Sequence, residues 1–380
     1  MKHKNVTVGL FLGVLFLFFI LGIVMPKKSF SPSENRYLAG MPKFTVEKLM
    51  DGSFGTEYET YLSDQFPMRD QFVAVKAETE RLMLEQDVNG VYFGADDYYI
   101  EKFDPEMLFT EQLTKNLDYL TQAADQFAKQ LGENHVKIML VPSASQILTN
   151  KLPPFAAPAD QGNVTRILKT ELSNPDMLLP IEEELEQHKD ESIYYRTDHH
   201  WTVKGAYYGY RLYGESMGFK PWEEERFVKE TVTSDFFGTI ESKVKVPMKS
   251  DDISLYLPKE PQTNRVFYDG LPKEYNTLYN REALKGKDKY SVFLDGNHGW
   301  TKIVNDKAPL KRRLLIVKDS YAHSFAPFVV NHFEEVHMID LRYFNMKPSD
   351  FIRSQGITDV LVLYQIPGFA KEQNLFKMPR

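Results

Sequence analysis

An uninterrupted apolar segment near the N-terminus, residues 6–25 (VTVGLFLGVLFLFFILGIVM), limits the folds open to this 380-residue chain. Twenty residues in a helix rise about 30 Å, which is the thickness of the hydrocarbon core of a bilayer. A cleaved signal peptide has a shorter apolar region that ends in small residues, whereas this segment runs into Pro26-Lys27-Lys28. We therefore predict an uncleaved signal anchor that spans the membrane, with a cleaved signal peptide as the alternative.

The charges on either side of the segment predict its orientation. Lys2 and Lys4 precede it, which favours a cytoplasmic stub at residues 1–5, although Lys27 and Lys28 weaken the asymmetry. We expect a single-pass protein of the cell membrane whose remaining residues are extracytoplasmic. The chain has a net charge of −7, and its first 30 residues hold four lysines and no acidic residue, so the remainder has −11. This acidity disfavours nucleic acid as a partner.

The chain contains no cysteine. Disulfides, iron–sulfur clusters, cysteine-ligated zinc, thiol nucleophiles and lipoprotein anchors are therefore excluded. Hydrophobic residues make up 42% of the chain and aromatic residues 13%, which is enough for a substantial core and excludes a wholly disordered chain. We expect no cofactor.

Hydrophobic periodicity divides the chain after the apolar segment. We predict a juxtamembrane region at residues 26–86. It begins as a polar linker, up to residue 45, and continues as helices interrupted at Pro67. Residues 87–380 predict the main domain, which begins with hairpin strands in 88–103. Strands and helices then alternate, which indicates a three-layer α/β sandwich with a mostly parallel sheet. The pattern of residues 219–285 predicts no clear element. The helices are predicted at 110–132 and 203–217, and the strands at 137–141, 191–196, 290–294, 314–317, 336–339 and 360–364.

Two polar clusters follow predicted strands, where ligands gather in α/β sheets. Ser320 follows the strand at 314–317, and a strand-to-helix turn there would expose its hydroxyl as a nucleophile. Asp198 and His200 follow the strand at 191–196, and their spacing lets the carboxylate orient the imidazole as a base. The alternative is that Asp319 or Ser320, and likewise Asp198, only cap helices.

Other residues near these clusters are candidates for substrate contacts. Trp201 and Tyr321 are predicted to wall the site or stack on a sugar ring, although most rings in such positions pack in a core. Asn297, between Gly296 and Gly299, is a candidate oxyanion donor or part of a plain turn. A metal site is a further alternative, but no H-x-x-x-H or H-E-x-x-H spacing occurs and we predict no metal. Its ligands would come from Asp198, His199, His200, His298 and His323.

Several ordered motifs resemble those of a known family. The string Asp198-His199-His200-Trp201 resembles the signature from which the DHHW family of bacterial proteins takes its name. The resemblance extends over nearly the whole chain after the apolar segment. It includes Glu34-Asn35-Arg36, Tyr61-Leu62-Ser63-Asp64, Phe66-Pro67-Met68-Arg69, Gly90-Val91, Phe93-Gly94, Gly296-Asn297-His298, Ile316-Val317-Lys318-Asp319-Ser320-Tyr321-Ala322 and Ile339-Asp340-Leu341-Arg342-Tyr343.

This family is similar to the SGNH-hydrolase-like proteins of alginate O-acetylation, in which a D-x-H-W motif and a later D-S motif form a triad in permuted order. The resemblance implies an SGNH-like sandwich with Asp198 as orienter, His200 as general base and Ser320 as nucleophile. Lys318 stands where many SGNH enzymes have glycine. The resemblance also implies an acyl-serine intermediate, a membrane-bound O-acyltransferase partner and a polysaccharide acceptor.

The sequence therefore predicts an extracytoplasmic O-acetyltransferase acting on a cell-surface or secreted polysaccharide. A polysaccharide acetylesterase with the same triad is one alternative, because the two activities differ in water exclusion and acceptor fit rather than in catalytic groups. A non-catalytic glycan-binding or scaffold protein of the cell envelope is another.

Overall fold

The computed structural model describes residues 2–31, 36–260 and 262–379, with the backbone alone at residues 2–5 and 36. Met1, in the predicted cytoplasmic stub, and Glu34-Asn35, in the N-terminal family motifs, lie outside the described residues. The chain forms two compact units. The N-terminal unit comprises Met1–Asn89 and Glu241–Pro247, and the α/β unit comprises Gly90–Ile240 and Met248–Arg380.

The N-terminal unit is mainly helical. Its first helix contains Val6–Val24, which is long and apolar enough to cross a membrane, as the sequence predicts. The predicted break at Pro67 separates two later helices, and Met68 there adopts a left-handed φ of 58° that turns the chain. The elements are α1 Lys2–Val24, β1 Phe30–Ser31, β2 Arg36–Tyr37, α2 Val46–Met50, α3 Ser53–Asp64, α4 Arg69–Leu82 and β3 Asp87–Val88.

The α/β unit alternates strands and helices over most of its length. Its elements are β4 Val91–Phe93, β5 Tyr99–Glu101, α5 Pro105–Leu108, α6 Glu111–Leu131, β6 Val136–Val141, α7 Ala144–Ile147, α8 Gly162–Glu171, α9 Ile181–Gln187, α10 Val203–Ser216, β7 Phe227–Phe236, α11 Thr239–Val244 (which continues into the N-terminal unit), β8 Asp251–Pro258, β9 Arg265–Tyr268, β10 Trp300–Val304, β11 Leu310–Lys318, α12 Ala322–Val329, β12 Phe333–Ile339, α13 Pro348–Gln355, β13 Asp359–Gln365 and α14 Ile366–Lys371.

A six-stranded sheet in the order β6-β13-β11-β12-β10-β9 forms the centre of this unit. The first four strands are parallel, and β10 and β9 extend the sheet as antiparallel neighbours. Every residue of β6 and β13 is buried, as is typical of parallel strands covered on both faces. One hydrophobic cluster packs α10 and α12 on one face, and a second packs α6, α13 and α14 on the other. The predicted α/β sandwich with a mostly parallel sheet is confirmed.

Two predicted strands are wrong. Residues 191–196 form a loop, because the amide N–H groups of Arg196 and Thr197 donate to the Asp251 carboxylate instead of to a neighbouring strand. Residues 290–294 begin as the 3-10 helix Lys289–Val292. Leu294 and Asp295 then have φ values of 56° and 57°, which end any extended conformation. The prediction also missed β7 to β10, whose sequences are short or mixed in polarity.

Candidate active site

A short loop before α10 carries Asp198 and His200. An antiparallel bridge between Tyr194 and Trp201 closes this loop, and the Tyr195 N–H donates to the His200 carbonyl at 3.3 Å. The Asp251 carboxylate accepts from the backbone N–H groups of residues 196 and 197 at 3.0 and 2.8 Å. Because its backbone groups are satisfied from both sides, the loop presents its side chains in a defined direction.

The turn between β11 and α12 carries Ser320. The Asp319 carboxylate supports this turn by accepting the N–H groups of Tyr321 at 2.9 Å and Gln365 at 2.8 Å. Burial raises the pKa of Asp319 to about 6, and the two N–H bonds oppose that shift. The N-cap of α12 is Tyr321, with no side-chain cap hydrogen bond, so neither Asp319 nor Ser320 caps this helix and Asp319 instead supports the turn. The Ser320 hydroxyl is left available for another partner.

The two segments bring Asp198, His200 and Ser320 into one hydrogen-bonded chain. His200 Nδ1 lies 2.5 Å from Asp198 Oδ1, and His200 Nε2 lies 2.7 Å from Ser320 Oγ. Asp198 and His200 are buried, at 3% and 5% exposure. A carboxylate on Nδ1 holds the imidazole in the tautomer whose Nε2 accepts a proton. The geometry therefore suits removal of the Ser320 proton.

Asp198 is fixed by groups other than His200. Its Oδ2 accepts from the backbone N–H of Thr239 at 2.9 Å and from the Thr239 hydroxyl at 3.3 Å. Gly238 lies so close that a methyl group there would sit 2.2 Å from the Asp198 carboxylate. Burial favours the protonated acid, but the charges of His200 and His199 and the hydrogen bonds outweigh it, so the pKa of Asp198 lies well below its usual range. The carboxylate stays ionised.

The His200 imidazole is held between protein groups. Burial lowers its pKa to about 4, and the neighbouring His199 acts in the same direction while Asp198 opposes it. The ring is therefore neutral near pH 7. The Tyr290 ring stacks on it, with centroids 3.8 Å apart and planes at 11°. The Tyr290 hydroxyl lies within hydrogen-bond distance of the Ser320 carbonyl, at 3.3 Å, and of Ser324 Oγ, at 3.2 Å, which ties the stacked ring to the Ser320 turn.

The sequence did not single out Gly238, Thr239 or Tyr290 as site residues. Gly238 and Thr239 lie in the region without a clear pattern, about 40 positions from Asp198, against which Gly238 packs and to which the Thr239 N–H donates. Tyr290 belongs to an apolar run whose composition predicts a strand. A long-range contact between side chains leaves no local periodic signal, so only the tertiary structure identifies these three residues.

Trp201 and Tyr321 lie beneath the site. Trp201 is fully buried, its Nε1 donates to the Tyr321 carbonyl at 3.0 Å, and the Tyr321 hydroxyl donates to the His199 carbonyl. Their burial does not fit the predicted stacking on a sugar ring, because no face of Trp201 reaches solvent. Both residues instead join the Asp198 loop to the Ser320 turn.

Asn297 is exposed, and its Oδ1 accepts from Arg342 at 3.3 Å. The structure thus places it beside Arg342 and gives no contact between Asn297 and the Ser320 hydroxyl. Within the described part of the chain, the Ser320 backbone N–H has no protein acceptor. That N–H is therefore an available donor next to the hydroxyl, and the oxyanion role of Asn297 stays a prediction.

Lys318, two residues before Ser320, is buried behind the turn. Its ammonium group contacts His323 Nε2 at 2.7 Å and the Asp340 carboxylate at 3.5 Å. Burial lowers the pKa of Lys318 to about 8 against the opposing charge of Asp340, and burial likewise lowers the pKa of His323. Because its Nε2 contacts the Lys318 ammonium group, His323 is not available for the metal site that the sequence left as an alternative.

Possible metal-ligand atoms of Asp198, His199 and His200 lie within 4.8 Å of one another. However, both ring nitrogens of His200 already face Asp198 and Ser320, and His199 Nδ1 faces the Thr239 hydroxyl at 2.8 Å. His298 lies elsewhere, with Nδ1 3.1 Å from Asp269. The arrangement therefore fits a hydrogen-bonded acid–base chain better than a metal centre.

Comparison with known proteins gives a family and a fold. The family model described as DHHW protein matches residues 126–339, which is more than half of the chain. No curated protein sequence matches. A DHHW family protein from Eubacterium siraeum is similar in structure, with 25% identity and a TM-score of 0.64 over 77% of this chain and 95% of that chain.

Two further solved structures are more distant in sequence. Bacillus cereus PatB1, solved with a sulfonyl adduct, has 18% identity and a TM-score of 0.65 over 77% of this chain and 100% of that chain. The O-acetyltransferase domain of Pseudomonas putida AlgJ has 14% identity and a TM-score of 0.44, over 76% of this chain and 98% of that chain. The likeness to PatB1 supports the fold alone.

Proposed function

The chain belongs to the DHHW protein family, and from this membership and the site geometry we propose that it is a membrane-anchored, extracytoplasmic O-acetyltransferase acting on a polysaccharide. One observation carries the proposal. Ser320, His200 and Asp198 form a continuous hydrogen-bonded chain, with spacings of 2.7 and 2.5 Å, in which a neutral imidazole faces a hydroxyl. Such a chain is what an acyl-serine mechanism needs.

In the first half-reaction, Ser320 Oγ attacks the carbonyl carbon of the acetyl donor, and its proton passes to His200 Nε2. Asp198 stabilises the imidazolium through Nδ1, and the stacked Tyr290 ring adds a cation–π contribution once the ring is charged. The donor's leaving group departs with the proton from His200. The products are acetyl-Ser320 and a neutral imidazole.

In the second half-reaction, a glycan hydroxyl gives its proton to His200 Nε2 while its oxygen attacks acetyl-Ser320. The bond between Ser320 Oγ and the acetyl carbon breaks, and His200 returns the proton to Ser320. In both steps the negative charge on the carbonyl oxygen needs a donor, and the free Ser320 N–H is suited to supply one. If water replaces the glycan hydroxyl, the same residues perform ester hydrolysis.

The membrane anchor and the acetyl donor are linked in the proposal. With α1 in the bilayer, the chain tethers the α/β unit to the membrane that would hold the membrane-bound O-acyltransferase partner, which would deliver the acetyl groups. The net charge of −11 outside the first 30 residues favours a glycan acceptor that is neutral or basic over a polyanion.

The test uses the full chain in lipid nanodiscs with 4-nitrophenyl acetate, followed by intact-mass spectrometry. We expect the wild type to release nitrophenolate and to carry an acetyl group that maps to Ser320. Ser320→Ala and His200→Ala should lose both signals. Ser349→Ala, at a buried serine on α13 that has no part in the site, is the matched control and should retain most of the activity.

Acceptor oligosaccharides then separate the remaining possibilities. Acetylated sugar product that increases with acceptor concentration supports transfer, whereas acetate alone supports the polysaccharide acetylesterase. Equal background rates in folded wild type and Ser320→Ala would contradict a serine enzyme and favour the glycan-binding or scaffold protein.

A further inference from the structure

The N-terminal unit exposes an apolar stripe on α4. Phe72, Val75 and Leu82 recur at intervals of three and seven residues and are 47%, 63% and 82% exposed, and Met68 continues the stripe at the N-cap. The opposite side of the helix carries Ala77, which is fully buried. The helix therefore buries its small-residue face and leaves its larger apolar side chains about half to four-fifths exposed, which is the reverse of a soluble surface helix.

The same surface continues onto neighbouring segments. Leu62 near the end of α3 is 48% exposed and Phe66 in the following turn is 44% exposed. Met83 and Leu84, directly after α4, are 73% and 86% exposed. We call the set Leu62, Phe66, Met68, Phe72, Val75, Leu82, Met83 and Leu84 the apolar stripe. Exposed apolar side chains in this number on adjoining segments mark contact with a membrane or another protein.

The apolar stripe is continuous with the membrane-length helix α1. The Phe18 ring of α1 stacks on Phe66 at 5.5 Å and meets Phe72 edge-on at 5.4 Å. Phe66 and Phe72 contact each other at 5.7 Å. One aromatic cluster thus joins the middle of Val6–Val24 to the start of the stripe.

Polar contacts hold the same arrangement at the end of α1. The Gln65 side chain accepts from the Lys28 N–H at 3.0 Å and donates to the Lys28 carbonyl at 2.8 Å. The Lys27 ammonium lies 5.6 Å from the centre of the Tyr61 ring. These contacts fix α3 beside the point where the chain leaves α1. The placement of α3 next to α1 therefore rests on polar contacts as well as on the aromatic cluster.

The depth of the aromatic cluster follows from helix geometry. Phe18 precedes Val24 by six residues, which corresponds to about 9 Å along the helix axis. Helices that lie in a membrane interface bury their apolar face by about 5–10 Å. If α1 spans the bilayer, Phe66 and Phe72 lie at the depth of such a helix.

We propose that the apolar stripe of α3 and α4 inserts into the acyl-chain region of the membrane that α1 spans, as an interfacial second anchor. The proposal rests on the membrane anchoring in the proposed function and is independent of the chemistry at Ser320. The charged residues of α4 pair among themselves, Lys76 with Glu80 and Arg81 with Glu78. The stripe therefore recognises the apolar lipid chains and does not require an anionic headgroup.

The absence of cysteine from the sequence makes single-cysteine labelling of the full chain direct. Val75→Cys and Leu82→Cys report on the stripe, and Phe16→Cys reports on α1. Arg81→Cys on the other side of α4 and Lys285→Cys in the α/β unit are aqueous controls. Each variant carries an environment-sensitive nitrobenzoxadiazole label and is reconstituted in phosphatidylcholine vesicles with or without nitroxide groups on the acyl chains.

We expect labels at residues 16, 75 and 82 to fluoresce at shorter wavelength and to lose most of their intensity with nitroxide lipid. Labels at residues 81 and 285 should keep their intensity and should instead be quenched by iodide in the water. Ser320→Ala should leave this pattern unchanged. If the acetyl-transfer assay fails while the labels at 75 and 82 are quenched by nitroxide lipid, the proposed enzyme activity is rejected and the insertion of the stripe is retained.

Quenching at residue 16 without quenching at 75 and 82 would overturn the stripe's insertion while retaining the anchor. Labels at 75 and 82 that are shielded from iodide but not quenched by nitroxide lipid would also overturn the insertion. If that shielding increased with the protein-to-lipid ratio, it would indicate contact with a second copy of the chain. No nitroxide quenching at residue 16 would remove the anchor and reject the insertion with it.

Discussion

A single methyl group at Gly238 is expected to disable the site while the protein remains folded. The Cβ of Gly238→Ala would lie 2.2 Å from both Cβ and Oδ2 of Asp198, whereas ordinary van der Waals contact begins at 3.4 Å. Asp198 must therefore move by about 1.2 Å. It cannot do so without disturbing the 2.9 Å bond from Thr239 and the 2.5 Å contact with His200.

The magnitude follows from these contacts. A displacement of about 1 Å in a catalytic group costs on the order of 100-fold in rate. Loss of one hydrogen bond to a charged group lowers the free energy of unfolding by about 1.5–3 kcal/mol. Gly238→Ala should therefore show acetyl release reduced about 100-fold per folded molecule, with a moderate loss of stability.

The assay needs a control with a similar clash elsewhere. In Gly214→Ala, on α10, the new Cβ would lie 2.6 Å from Pro221 Cγ and 2.8 Å from the Phe219 ring. That variant should also lose stability, by about 1–3 kcal/mol, yet keep its rate of nitrophenolate release per folded molecule. Active-site titration by acetyl adduct and urea unfolding give the two quantities. A folded Gly238→Ala within threefold of the wild-type rate (roughly 0.65 kcal/mol in barrier) would refute the positioning role of Asp198.

Three further outcomes are expected. Burial lowers the pKa of His200 to about 4, so acetyl release should slow only as the pH falls well below 6.5, the ordinary pKa of histidine. A midpoint at or above 6.5 in a pH–rate profile would contradict this. Tyr290→Phe keeps the stacked ring and should lower kcat only several-fold, whereas Tyr290→Leu removes the aromatic plane and should lower it further; equal kcat values would exclude a role for stacking. Asp319→Asn keeps one acceptor oxygen, so either the Tyr321 or the Gln365 N–H then faces an amide N–H2 group. This should lower the free energy of unfolding by about 1–3 kcal/mol in urea titrations, and an unchanged midpoint would contradict that support of the turn.

The fold was predictable where the hydrophobic pattern is strong. The strands predicted at 314–317, 336–339 and 360–364 correspond to the buried core of the sheet, and the helix predicted at 203–217 corresponds to α10. Buried parallel strands are continuous apolar runs, so their sequences are distinctive. The antiparallel strands β9 and β10 lie toward one edge of the sheet and alternate in burial, and the sequence did not predict them.

The sequence also indicated the candidate site, but only its side chains with recognisable motifs. Asp198, His200 and Ser320 could be proposed because a D-x-H pair and a D-S turn fit a known chemical role, and the family predicted from these motifs matches residues 126–339. Their roles remain a prediction. Trp201 was also singled out, but its complete burial shows that an aromatic residue next to a motif is not necessarily exposed to substrate.

Local composition and spacing thus determined the apolar N-terminal helix, the α/β class and the polar turns that follow the strands, because each depends on residues that are neighbours in the chain. The tertiary structure decided which groups complete the site. Thr239 N–H reaches Asp198 across 41 positions, and the Tyr290 hydroxyl reaches the Ser320 carbonyl across 30. These residues are far apart in the chain and meet only when the loops pack against one another. No periodicity in the sequence encodes such contacts.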